Sequence, residues 1–168
     1  MFIECDNKGA YMNRNRKMMM DETLPKTPVF PDTTQIMDEK IDSLVVQIKS
    51  LYNNKYVEIG LDEFFYAITE NPMTAKIFSL IILEDNNVMI RLHGARFLRV
   101  DQNGNLTVDL FNQGAAIFKL QEVDESSYAI LAPNGSFIGV RDSDSRLVAN
   151  QSNPNSSTVF KFRKVYHY

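Results

Sequence analysis

The stretch Val88-Met89-Ile90-Arg91-Leu92, His93-Gly94-Ala95, Arg96-Phe97-Leu98-Arg99-Val100 opens a segment that runs to Val123 and sets the pattern for the chain. Two short runs with alternating apolar residues flank a glycine-marked turn, which is the signature of strand, tight turn, strand. A second turn at Asn103-Gly104 follows, then a short strand Leu106-Thr107-Val108, and a closing strand Ala115-Ala116-Ile117-Phe118-Lys119-Leu120. The same order returns downstream: Tyr128 to Ala132, the turn Pro133-Asn134-Gly135, Ser136 to Val140, and Ser157-Thr158-Val159-Phe160-Lys161-Phe162. It is present upstream in a more worn form, as Tyr56 to Gly60, Phe64 to Ile68, and Ala75-Lys76-Ile77-Phe78-Ser79-Leu80.

The closing phenylalanines Phe78, Phe118 and Phe160 stand 40 and 42 residues apart. Each follows Ile or Val, and each has Ala or Ser three positions before it. The openings align without a gap over thirteen residues, from Tyr56, Val88 and Tyr128 to Ile68, Val100 and Val140. A repeat of roughly 40 residues made of short strands marks a repeat architecture. A propeller of that period needs at least about four blades. Three copies of four strands, with no Trp in the chain, fit an all-β, three-lobed closed barrel, a β-trefoil. Read this way, the first lobe is shortened, because Phe65 precedes Phe78 by 13 residues while Phe97 and Phe137 precede their partners by 21 and 23.

The elements Gly94-Ala95-Arg96-Phe97-Leu98-Arg99-Val100 and Gly135-Ser136-Phe137-Ile138-Gly139-Val140, with the closing strands around Phe118 and Phe160, resemble the fascin-like β-trefoils over residues 55–166. The resemblance to fibroblast-growth-factor trefoils is more distant, and the Q-x-W mark of ricin-type lectin trefoils is absent. The fascin-like resemblance implies cytoskeletal filaments as the first class of partner, and the chain reads as a non-catalytic structural or binding component of a protein assembly, cytoplasmic and cytoskeleton-associated. Fascin-like proteins that bundle actin do so with several trefoils in one chain, so a single trefoil needs oligomers to crosslink. A glycan-binding trefoil lectin and a viral structural subunit are the alternative readings, since one fold hosts many functions.

Ahead of the trefoil, residues 1–31 read as an extended arm, with Pro25, Pro28 and Pro31 disfavouring helix. Residues 32–53 read as one amphipathic, coiled-coil-like helix, with Asp32 as N-cap and Gln35 three residues on. Met37, Ile41, Leu44, Ile48 and Leu51 are spaced 4, 3, 4, 3, which gives a seam for docking or for a homo-oligomer.

Catalytic and metal chemistry finds little support. The chain has two histidines, His93 and His167, and one cysteine, Cys5, without metal-ligand spacing. Asp101-Gln102-Asn103-Gly104 and Asp142-Ser143-Asp144-Ser145 lack the closing Glu of a Ca²⁺ loop and coincide with turns of the repeat. No cofactor and no enzyme activity are expected. A net charge of -3 excludes a general affinity for nucleic acid, and no apolar run, Leu80 to Leu83 included, is long enough to span a membrane. Charges in Met1 to Asp6 do not suit a secretion signal, and a single cysteine suits a reducing compartment. One cluster remains: Arg91, Arg96 and Arg99, with His93, form a candidate basic face for acidic groups of a partner.

Overall fold

A computed structural model describes residues 41–109 and 115–166, and twelve strands account for most of them. Lobe one holds β1 (Ser43–Ser50), β2 (Lys55–Ile59), β3 (Phe65–Thr69) and β4 (Phe78–Ile82). Lobe two holds β5 (Asn87–Leu92), β6 (Arg96–Val100), β7 (Leu106–Asp109) and β8 (Phe118–Asp124). Lobe three holds β9 (Ser127–Leu131), β10 (Phe137–Val140), β11 (Leu147–Gln151) and β12 (Phe160–Lys164). In every lobe the first strand pairs antiparallel with the second and the fourth. The fourth strand then pairs with the first strand of the next lobe, β4 with β5, β8 with β9, and β12 back to β1. The ring therefore has no edge, and the hairpins β2–β3, β6–β7 and β10–β11 project from it. The fold is the expected β-trefoil.

Three-fold order governs the core. Ile48, Ile90 and Ile130 come from the first strands, Val57, Leu98 and Ile138 from the second, and Phe65, Leu106 and Leu147 from the third; all are buried. Phe78, Phe118 and Phe160 close the set at 1%, 0% and 0% exposure, which bears out the repeat register at these positions. The residual void among these layers is about 10 Å³ and lined by apolar side chains, so it is no larger than a single water and stays dry. Turn residues repeat as well: Glu63, Gly104 and Ser145 all take positive φ in the turn between second and third strands. Only Gly104 is a glycine there, and a Cβ on it would meet the Ala149 carbonyl oxygen at 2.8 Å. That close approach carries the bond from the Ala149 amide to the Gly104 carbonyl, which joins the caps of lobes two and three.

Two expectations are corrected together. The helix expected over residues 32–53 is a strand from Ser43 to Ser50, so the trefoil starts at residue 43 rather than 55. Its part before residue 41, with Met37, and the arm 1–31 lie outside the described residues. The spacing misleads because four residues is also an even number. Leu44, Val46, Ile48 and Ser50 share one face of a strand as readily as Leu44 and Ile48 share one face of a helix. Tertiary pairing settles it: β1 is held by β4 on one side and β12 on the other, and Val46 and Ile48 are buried in the barrel. The seam Met37-Ile41-Leu44-Ile48-Leu51 is thus not one docking face, since Ile48 points into the core while Ile41, Leu44 and Leu51 are exposed. With β1 restored, the first lobe is not shortened: Phe65 is the counterpart of Leu106 and Leu147, not of Phe97 and Phe137. Tyr56 belongs to the second strand of lobe one, whereas Val88 and Tyr128, aligned with it in sequence, belong to the first strands of lobes two and three.

Gln47 points away from the core yet is 3% exposed. Its side-chain amide donates to the carbonyls of Pro72 at 2.6 Å and Ala75 at 3.3 Å, and its Oε1 accepts from Arg163 Nη1 at 2.8 Å. Both ends of a buried amide are satisfied, so it fastens β1 to the β3–β4 loop and to β12. Two substitutions test this layout. Phe118→Ala should cost about 3–5 kcal/mol, through lost burial plus a cavity. Ile48→Asp should unfold the barrel in thermal melts, because it buries an unpaired charge; a folded Ile48→Asp variant with altered particle mass would restore the helical seam.

Candidate functional site

The hairpin ends carry a tied network of charge. Arg146, just before β11, lays its guanidinium over the Phe64 ring at 4.3 Å and the Tyr66 ring at 5.5 Å. Its Nη2 donates to the Tyr66 hydroxyl at 3.0 Å and lies 3.5 Å from Asp62 Oδ2, and its Nη1 donates to Asn105 Oδ1 at 3.4 Å. One side chain thereby touches all three lobes. The Tyr66 hydroxyl donates to Asp62, which lowers the Asp62 pKa and raises that of Tyr66. Asp101 accepts from the Asn103 and Asn105 amides at 2.8 Å each, and Asp144 takes a fork from Arg141 at 2.9 and 2.7 Å. The two aspartate turns are therefore closed on themselves. Among the described residues no group of three or more His, Cys, Asp or Glu is placed to hold a metal. Cys5 and His167 lie outside the described residues.

The basic triad does not converge. Strand register sets Arg96 opposite Leu92 and Arg91 opposite Phe97, so Arg91 and Arg96 occupy opposite faces of the β5–β6 ribbon. Arg96 shares the parity of Leu98 and Val100, and its Nε is buried without a hydrogen-bond partner. Arg99 lies 3.9 Å from the buried carboxylate of Asp109 on β7 and is tied into the lobe. Arg91 alone of the three lines a hollow of about 480 Å³, with His93, Ser79, Val45, Ile77 and Ala95. Ile77 is 44% exposed, so the hollow offers an apolar patch beside a cation.

A second groove, about 360 Å³ and mostly polar, lies on lobe three. Sequence reasoning missed it, because its members come from four separate segments. Tyr52, from the β1–β2 turn, donates its hydroxyl to Asp142 Oδ1 at 2.7 Å, a bond that raises the tyrosine pKa. On the groove's other members Ser157 Oγ donates to Asn155 Oδ1 at 2.6 Å, and Asn155 Nδ2 to Gln151 Oε1 at 2.9 Å. Gln151 Nε2 continues to Asn150 Oδ1 at 2.9 Å. Gly139 forms part of the lining, and a Cβ there would come within 3.0 Å of Ser157 Oγ and 3.1 Å of Gln151 Cγ. The Asn-rich run from Asn150 to Asn155, readable in sequence as loop composition, is the one signal that pointed here.

Closed ring, three lobes and an apolar axis define a β-trefoil. The Fascin domain model matches residues 52–162, and the chain belongs to that family. The match begins after β1, the strand whose sequence also reads as helix. No curated protein matches by sequence. Among solved structures, the designed three-fold symmetric protein ThreeFoil superposes with a TM-score of 0.62 at 12% identity, over 72% of this chain and 99% of that one. SeviL bound to asialo-GM1 saccharide gives 0.60 at 18% identity, over 76% and 100%. A Culex salivary protein of the cysteine and tryptophan-rich family gives 0.59 at 17%, over 75% and 96%. At these identities the likeness is one of fold.

The Arg141–Asp144 fork yields a pH prediction. The hydrogen bonds from Arg141 hold the Asp144 pKa down to about 2. A depressed carboxylate stabilises the fold above its ordinary value near 3.9 and loses that contribution as pH falls towards 2. Both side chains are more than a third exposed, so screening keeps the contribution below about 1 kcal/mol. In a carboxyl NMR titration Asp144 should titrate near pH 2, and Arg141→Gln should return it towards the ordinary aspartate range.

Proposed function

We propose that this chain is a non-catalytic binding trefoil that docks as a structural component of a protein assembly, with a cytoskeletal filament as its first candidate partner. Membership of the Fascin domain family supports the class of partner. The Arg91 hollow is the observation that carries the docking reading: Val45, Ile77 and Ala95 give apolar contact, while Arg91 and His93 add polar groups at its edge. A surface of that composition suits an acidic segment with an apolar anchor, and such mixed patches are common at the centres of interfaces. No helix among the described residues is long and apolar enough to cross a membrane.

The reading differs from a bundling role in one respect. The seam expected to join copies through a helix is interrupted by Ile48, which belongs to the barrel's own core. Docking one trefoil on a filament needs no second copy, whereas crosslinking does.

Co-sedimentation with filamentous actin tests the proposal directly. Wild-type protein should pellet with filaments, and Arg91→Glu should reduce the bound fraction while its stability changes by no more than the small range of surface substitutions, about 0.5 kcal/mol. Because the contact includes an exposed charge, binding should weaken with added salt. Failure of the wild type to pellet would remove the actin filament as partner, and equal pelleting by Arg91→Glu would remove the hollow as the docking surface.

A further inference from the structure

We infer that the lobe-three groove is a binding site for a neutral saccharide, separate from the Arg91 docking surface. Its composition is the argument. The side-chain relay from Ser157 through Asn155 and Gln151 to Asn150 runs in one direction, with each member donating to the next. It engages one lone pair of the Asn150 carbonyl oxygen and leaves that residue's amide nitrogen, with two N–H donors, at the end of the chain. Linked hydrogen bonds polarise one another, which strengthens the terminal donor.

Asp142 supplies the complementary half. A carboxylate offers about four acceptor positions, and the Tyr52 hydroxyl takes one of them. Sugar hydroxyls donate and accept at once, so a lining with a fixed donor group and a fixed acceptor group matches them. Tyr52 is 41% exposed with its hydroxyl anchored, which leaves the ring available as an apolar wall for the C–H face of a pyranose. The absence of a side chain on Gly139 matters here, since a Cβ would press on Ser157 and Gln151 and crowd the relay. A volume of about 360 Å³ lies at the small end of ligand pockets, as suits one or two sugar rings.

Charge selects the neutral class. The Arg141 guanidinium is already engaged by Asp144 in a two-bond fork, whereas among the described residues the Asp142 carboxylate has the Tyr52 hydroxyl and no cation as partner, and would repel an anion. Phosphates and sialylated glycans are therefore disfavoured, and an apolar peptide would leave the amide relay unpaired. The site is built across a lobe boundary, with Tyr52 from lobe one and the rest from lobe three. That explains why no equivalent is legible within a single repeat.

The test titrates the isotope-labelled full chain with a panel of neutral galactosyl, glucosyl and mannosyl oligosaccharides, and with sialyllactose as the anionic arm. At least one neutral sugar should shift the amides of Asp142, Asn150 and Gln151 at millimolar concentration, more strongly than sialyllactose does. Tyr52→Ala and Asp142→Asn should each weaken that binding by about tenfold with unchanged melting, as expected for losing a contact to a charged or aromatic group. Arg91→Glu should leave it unaltered, which separates this site from filament docking. The inference is overturned if no neutral sugar moves those amides, if sialyllactose binds as well, if both groove variants bind like the parent, or if Arg91→Glu abolishes the effect.

Discussion

Closure of the six-stranded ring by β1 is the constraint on which the rest of this protein depends. β12 and β4 face each other only through β1, which pairs with β12 from Val46 to Ser50 and with β4 from Ser43 to Val46. Without it the ring would present two open edges, each a row of unsatisfied backbone groups. The strand also delivers Val46 and Ile48 to the apolar axis and, on its other face, the buried amide of Gln47. Gln47 holds the β3–β4 loop through Pro72 and Ala75 and receives Arg163 from β12. Side-chain burial and backbone pairing thus act on the same eight residues, and the turn that follows them places Tyr52 against Asp142.

Both candidate surfaces inherit their geometry from that closure. Val45 of β1 forms part of the Arg91 hollow, alongside Ile77 and Ser79 at the start of β4. Tyr52 reaches lobe three because the Leu51 amide bonds to the Val159 carbonyl at 3.0 Å, pinning the β1–β2 turn beside the last loop. Both candidate surfaces therefore lie where lobes meet, and the interior of each lobe is given over to packing. Arg146 follows the same rule at the hairpin end, where it stacks on lobe one and donates to lobe two from lobe three.

The sequence made the barrel legible wherever the repeat was intact. Phe78, Phe118 and Phe160 announced the three-fold order because burial at the closing strand permits little but a large apolar side chain. Lobe one was misread at its opening because Leu44-Val45-Val46-Gln47-Ile48 satisfies two periods at once, and only its pairing with distant β4 and β12 chooses between them. The Arg91, Arg96 and Arg99 grouping failed for a related reason: parity along β6 sets Arg96 on the face of Leu98, and the partner of Arg99, Asp109, lies across a hairpin. The lobe-three groove shows in sequence only as the Asn-rich run from Asn150 to Asn155, because the bond that adds Tyr52 to it reaches Asp142, ninety residues away, and no local pattern encodes such a contact.

Native-state hydrogen exchange at the β1 amides tests the closure most directly. The account predicts that the hydrogen-bonded amides from Val46 to Leu51 exchange only through global unfolding, at the same free energy as the slowest amides of β5 and β9. Exchange of these amides through a local opening, while β5 and β9 remain protected, would show that the ring holds without β1 and would contradict the account.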